Sequence, residues 1–138
     1  MNEVYKILLV DDEPDILEII SYPLECAGYQ VCKAKNGRQA IEMAEKENPD
    51  LIIMDLMMPE MNGIEACKHI RKSNNLKNVI ITFLSARSED FSLIAGFDAG
   101  ADDYITKPIQ PKILLSKVKS LLRRKKSDIS QKIIYHND

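Results

Sequence analysis

Apolar positions along the chain fall into two alternating patterns. Five short runs stand out: Lys6-Ile7-Leu8-Leu9-Val10, Gln30-Val31-Cys32-Lys33-Ala34, Leu51-Ile52-Ile53-Met54, Val79-Ile80-Ile81-Thr82-Phe83-Leu84 and Tyr104-Ile105-Thr106. The first, third and fourth are almost continuously apolar, as strands buried on both faces must be. The second and fifth are mixed, which places them towards the sheet edges. Between the runs the period becomes helical. Ile16, Leu17, Ile19, Ile20 and Leu24 form one apolar face, and Ala40, Ile41, Met43 and Ala44 form another between Asn36-Gly37 and Asn48-Pro49. Ile64, Ala66, Cys67 and Ile70 follow Asn62-Gly63, and Phe91, Ile94, Ala95 and Phe97 precede Gly100, a natural helix stop. Ile113, Leu114, Leu115, Val118, Leu121 and Leu122 make the strongest helix.

Five alternations of strand and helix predict an α/β domain, a parallel sheet covered by helices on both faces. Pro23 conflicts locally with the first helix, because it removes a backbone donor and costs about 3 kcal/mol in a helix interior. A bend near Ser21–Pro23 or an early helix end is therefore expected. At the other end, Ser127-Asp128-Ile129-Ser130-Gln131 has the composition of a linker, and Lys132-Ile133-Ile134-Tyr135-His136 that of a strand start without a partner. The expected division is a domain over residues 4–125, then a linker and the beginning of a truncated second domain over 126–138.

Composition narrows the class. The chain has 138 residues, 45% apolar and 29% charged, which suits one globular domain. No apolar run approaches the roughly 20 residues of a membrane helix. The N-terminus lacks a basic start followed by an apolar stretch, so a cytoplasmic protein with no membrane partner is expected. Cys26, Cys32 and Cys67 are odd in number and form no metal-binding spacing, which predicts reduced, structural thiols. The net charge of −2 conceals an asymmetry: residues 1–106 carry 19 acids and 10 bases, residues 107–138 carry 2 acids and 9 bases. Most of the bases of 107–138 lie on the last helix and end in Arg123-Arg124-Lys125-Lys126, where cations complement the helix dipole.

In an open parallel sheet, ligands bind beyond the carboxyl ends of the strands. Asp11, Asp12 and Glu13 follow the first run, Asp55 ends the third, Ser85 follows the fourth, and Lys107-Pro108 follows the fifth. Each has an ordinary explanation alone. Asp11 or Asp12 before Pro14 could simply cap a helix, Ser85 could cap another, and Lys107 could be a surface lysine. Asp55 is harder to dismiss, because a carboxylate ending a buried strand is costly without a partner. Together they place three carboxylates, a hydroxyl and a lysine at one sheet edge. Clustered carboxylates need a cation, and hard oxygen ligands with room for water suit Mg²⁺. A carboxylate in such a site can act as a nucleophile and form an acyl phosphate, with the lysine stabilising the phosphoryl oxygens and the Ser85 hydroxyl reporting the product. No nucleotide-binding glycine loop is present, so the phosphoryl group must come from another molecule.

These segments resemble the receiver domain of bacterial two-component response regulators: Ile7-Leu8-Leu9-Val10-Asp11-Asp12-Glu13, Asp50 to Pro59 with Asn62-Gly63, Leu84-Ser85-Ala86, and Gly100 to Pro108. The resemblance spans about residues 4–124. It implies a flavodoxin-like doubly wound five-stranded sheet of order 2-1-3-4-5 with five helices. It also implies that Asp55 is the phosphoacceptor, served by a sensor histidine kinase. Asp12 and Asp55 would ligate Mg²⁺ directly, Asp11 largely through water, and Met57 through its backbone carbonyl. Lys107 would contact the phosphoryl oxygen, and the bond before Pro108 would be cis. Ser85 and Tyr104 would form the switch pair. The same resemblance is strongest to regulators carrying a winged-helix DNA-binding domain, which implies a homodimer on phosphorylation through the fourth helix, fifth strand and fifth helix. Its residues would be Asp98, Asp102 and Asp103 with Lys117, Lys119 and Arg124, together with Leu93 and Ile113, an apolar pair where relatives place charges. DNA would be reached only through a domain absent from this chain.

Two alternatives remain. A phosphatase of the haloacid-dehalogenase type would need a second acid two residues after the nucleophile, where Met57 stands, so a switch rather than an enzyme is expected. Its own phosphorylation and slow dephosphorylation would be the only reactions it catalyses. A stand-alone receiver acting by docking to a partner protein is the other.

Overall fold

The computed structural model describes the backbone of residues 4–86 and 90–136 and the side chains of 4–86 and 94–124. Its elements alternate as the apolar pattern predicts. They are β1 (Lys6–Val10), α1 (Pro14–Cys26), β2 (Gln30–Ala34), α2 (Gly37–Glu47), β3 (Leu51–Asp55), α3 (Gly63–Lys72), β4 (Ile80–Ser85), α4 (Asp90–Asp98), β5 (Asp103–Thr106) and α5 (Pro111–His136). A single 3₁₀ turn at Asn74–Leu76 has no counterpart in the sequence reading. The five strands are parallel in the order β2-β1-β3-β4-β5, so the two mixed runs are the edges.

The continuous apolar runs are explained by two cores, one on each face of the sheet. Leu8, Val10, Ile52, Met54, Ile81 and Phe83 pack against Ala40 and Ala44 of α2 and Ala66, Cys67 and Ile70 of α3. The alternate residues Ile7, Leu9, Leu51, Ile53, Ile80 and Leu84 pack against Leu17, Ile20 and Leu24 of α1 and Leu114, Val118, Leu121 and Leu122 of α5. The side-chain period of two sends neighbours in one strand to opposite cores, so both positions are apolar through most of each inner strand, buried Thr82 in β4 being an exception.

Three local expectations are corrected. Of the two outcomes expected of Pro23, the early helix end does not occur: α1 runs through Pro23 to Cys26. Pro23 lies in the last turn, where its absent N–H removes one bond near a terminus and its carbonyl still accepts from the Ala27 N–H at 3.1 Å. Helix α4 does not turn Ile94, Ala95 and Phe97 into the core; all three are exposed. It approaches the sheet through Gly96, where a Cβ would lie 2.6 Å from the Phe83 ring, so the small residue docks and the large ones face out. Finally, α5 continues to His136, so the backbone of 126–136 is helical rather than a linker followed by a strand. Ile129, Ile133 and Ile134 sit at helical spacing with no Gly or Pro to stop the helix, and the β-branched pair gave a misleading strand signal.

Arg71 ties three segments together. Its guanidinium donates to the carbonyls of Gly100 at 2.9 Å, Leu76 at 3.4 Å and Val79, and pairs with Asp102 Oδ2 at 2.9 Å. The same Asp102 oxygen accepts the Ile81 N–H at 2.9 Å. Gly100, with a φ of 108°, is required there by its left-handed backbone and by the Arg71 side chain 3.0 Å from where a Cβ would stand. Arg71→Ala leaves several part-buried carbonyls and one carboxylate under-bonded, so urea denaturation is expected to show a loss of about 2–4 kcal/mol, with little recovery in Arg71→Lys.

Candidate functional site

The carboxyl ends of β1, β3 and β5 deliver the predicted groups to one edge of the sheet. Asp11 extends β1, its N–H donating to the Ala34 carbonyl at 3.2 Å, and is fully buried. Its Oδ1 accepts the Glu13 N–H at 2.9 Å, a local turn that swings the chain into α1. Glu13, not Asp11 or Asp12, is the N-cap residue of α1, and it makes no side-chain cap bond. The simple capping explanation for the two aspartates therefore does not hold. Asp12 is exposed beside them.

Asp55 ends β3 with 5% of its surface exposed. Its position is set from behind by Gly63, where a Cβ would lie 2.5 Å from the Asp55 carbonyl oxygen. Only glycine lets α3 start so close to the strand end. The intervening loop closes through Gly63 N–H to the Leu56 carbonyl at 2.9 Å and through the Asn62 side chain capping Glu65 N–H at 2.9 Å. Asp55 Oδ1 accepts from Met57 N–H and from Lys107 Nζ, each at 3.4 Å. The Lys107-Pro108 peptide is cis, as expected.

Ligand oxygens of Asp11, Asp12 and Asp55 lie within 4.8 Å of one another. Asp11 Oδ2 is buried without a hydrogen-bond partner. Burial pushes the Asp11 carboxyl up to about 6, opposed by the Glu13 N–H and reinforced by the Asp55 charge. Burial likewise raises Asp55, against the nearby charge of Lys107. Three converging carboxylates and an orphaned buried oxygen are a donor set for a hard divalent cation. Lys107 supplies one positive charge for three acids, which leaves the cluster undercompensated.

Ser85 is buried and its hydroxyl donates to the Ala86 carbonyl at 3.0 Å. Tyr104 is 36% exposed, with its ring edge-on to Phe97 at 6.2 Å between centroids. Strand register pairs Phe83 with Tyr104 and Ser85 with Thr106, so Ser85 and Tyr104 share a face of the sheet near its edge. Among the expected interface residues, Asp98, Ile113, Lys119 and Arg124 are exposed. Asp102 is committed to Arg71, and Asp103 to Lys117 at 3.3 Å, both within this chain. The Leu93 side chain lies outside the described residues. No local sequence pattern marks Arg71, whose partners come from two separate segments, residues 76–79 and 100–102, or the outward Ile94 and Phe97 of α4, whose spacing resembles that of a core face.

The model of the response regulator receiver domain family matches residues 7–119. The chain belongs to that family. It is 44% identical over 119 residues to the alkaline phosphatase synthesis transcriptional regulatory protein PhoP of Bacillus subtilis, covering 86% of this chain and 49% of that protein. It is 42% identical over 118 residues to the phosphate regulon transcriptional regulatory protein PhoB of Pseudomonas aeruginosa, covering 86% and 52%. The receiver chain thus spans about half the length of the curated relatives it matches. Among solved structures, the chemotaxis response regulator CheY4 of Vibrio cholerae superposes with a TM-score of 0.82 at 34% identity, over 86% of this chain and 99% of that one. A receiver domain protein from Methanospirillum hungatei gives 0.85 at 28%, over 91% and 99%. The family is a signalling switch, and the sheet order agrees with its fold. Among the described residues no helix is long and apolar enough to cross a membrane.

The raised carboxyl of Asp11 has a consequence for metal-free protein. Between about pH 4 and pH 6 the folded chain holds a proton that the unfolded chain has released, so this contribution to stability is lost as pH rises through that window. With a chelator present, Asp11→Asn should gain on wild type by roughly 2–3 kcal/mol between about pH 4 and pH 7, measured by urea denaturation. An added divalent cation should erase that advantage.

Proposed function

We propose that this chain is a phosphorylation-activated switch in which Asp55 accepts a phosphoryl group from the phosphohistidine of a sensor histidine kinase. The observation that carries this reading is the near-buried Asp55 carboxylate, facing both the Lys107 ammonium and two further carboxylates. An Asp55 oxygen bonds to phosphorus as the P–N bond breaks, and the leaving imidazole keeps the electron pair and takes up a proton. Lys107, 3.4 Å from Asp55 Oδ1, is placed to move its charge onto the arriving phosphoryl oxygens. Asp11, Asp12, Asp55 and the Met57 carbonyl would hold Mg²⁺, as the carboxylate cluster and the unpartnered Asp11 Oδ2 favour. Bound there, the ion supplies positive charge that offsets the acids and the phosphoryl oxygens.

Ser85 then turns its hydroxyl from the Ala86 carbonyl to the phosphoryl group, and Tyr104 turns inward into the space released. Two packings exist, and phosphate favours one of them. The change is delivered on the α4–β5–α5 face, where Ile94, Phe97, Tyr104 and Ile113 expose apolar surface. A second copy covers it, with Asp98, Lys119 and Arg124 at the rim and Leu93 meeting Ile113. Asp102, Asp103 and Lys117 would first have to exchange the partners they have within the chain. Output follows through a DNA-binding domain beyond residue 125, in keeping with relatives described as transcriptional regulatory proteins. The site of action is the cytoplasm, with no contact to membrane.

Incubation with Mg²⁺ and acetyl phosphate should add one phosphoryl group to the intact mass, absent in Asp55→Asn and lost with chelator. No adduct on the wild type would refute the phosphoacceptor reading. Ser85→Ala should still take up the group yet fail to shift from monomer to dimer in size-exclusion chromatography.

A further inference from the structure

Lys117 directs its whole side chain at β5. Its Nζ donates to the Tyr104 carbonyl at 2.7 Å and to Asp103 Oδ1 at 3.3 Å, and stands 5.2 Å from the centroid of the Tyr104 ring. The same Asp103 oxygen accepts the Tyr104 N–H at 2.7 Å. Phe97 meets the ring at an interplanar angle of 74°. The exposed ring of Tyr104 is therefore held by a cation from α5 and an aromatic edge from α4.

These contacts differ in what they can influence. The bonds from Lys117 to the Tyr104 carbonyl and to Asp103 involve backbone and a neighbouring side chain, and survive wherever the ring points. The cation over the ring and the Phe97 contact exist only while the ring faces out. An interaction biases a two-state equilibrium only if it differs between the states. A cation on an exposed tyrosine face changes such a balance by about two- to five-fold.

We propose that Lys117 is a positioning residue that holds Tyr104 outward and so sets the resting balance of the switch. The inference rests on Tyr104 being the moving ring of the reading above. It assigns Lys117 a role within one chain that precedes any contact with a second copy. Release of the ring removes the cation–ring contact, which leaves the Lys117 ammonium freer to find another partner.

The test uses the chain labelled with 3-fluorotyrosine, at concentrations where it is monomeric and without phosphodonor. Loss of one ¹⁹F signal in Tyr104→Phe identifies the ring. Lys117→Met keeps the length and apolar character of the side chain but removes the charge. Its Tyr104 signal should move towards the position that wild type takes with Mg²⁺ and beryllofluoride. The initial rate of acetyl phosphate uptake on Asp55 should rise about two- to five-fold. Lys117→Arg, which restores a cation over the ring, should bring signal and rate back. A Lys117→Met signal and rate that coincide with wild type would overturn the proposal and leave Lys117 as a cap on an edge strand. A wild type that takes up no phosphoryl group would instead refute the phosphoacceptor reading. The ring signal of Lys117→Met against wild type would still decide the role of Lys117.

Discussion

The burial of Asp11 and Asp55 beside the exposed carboxylate of Asp12 is the constraint around which the rest of this domain is arranged. Carboxylates out of water are costly unless they are paired and hydrogen-bonded, and here the protein provides too little of either. Two backbone N–H groups and one lysine face three acids, and one buried oxygen has no partner. The upward shifts of both buried carboxyls express that deficit. A site so undercompensated is stabilised by whatever brings positive charge to it. That makes it suited to binding a divalent cation and to an equilibrium that ligands can shift.

Keeping such a cluster in place requires a rigid frame. The two cores bury both faces of the sheet, so the strand ends are fixed by packing rather than by the site itself. Gly63 lets α3 press directly against the Asp55 backbone, and the cis peptide before Pro108 belongs to the loop that carries Lys107. Towards β5 the character changes. α4 docks through a glycine, its Ile94 and Phe97 face outward, and Arg71 fastens the segment between α4 and β5 to α3 and the start of β4. The exposed residues of α4 and the Tyr104 ring thus lie apart from the strands that hold the carboxylates.

Much of this was legible in the sequence for a simple reason. Strands buried on both faces must be continuously apolar, and helices covering them must be amphipathic, so the order of elements is written in periodicities of two and 3.6. The parallel sheet follows from their alternation. The position of chemistry at the carboxyl ends of the strands then places Asp11, Asp12, Asp55 and Lys107 at one edge without any coordinates. Periodicity misled at three places. A proline in a last turn costs less than one in mid-helix, which is why α1 continues past Pro23. The Ile133-Ile134 pair carries strand propensity that the helical spacing around it outweighs in α5. Ile94, Ala95 and Phe97 of α4 are spaced like a buried face yet are exposed, because a glycine makes the contact with Phe83.

What the sequence determined by itself, then, was the class of fold and the chemical identity of the site, since both depend on residue type and on order along the chain. What only the tertiary structure decided was pairing: that Arg71 binds Asp102, that Lys117 pairs with Asp103 and stands over the Tyr104 ring, and that Asp11 keeps one oxygen without a partner. These contacts join residues far apart in the chain. Each depends on how closely two elements approach, a distance set by the packing of every side chain between them and by no local pattern.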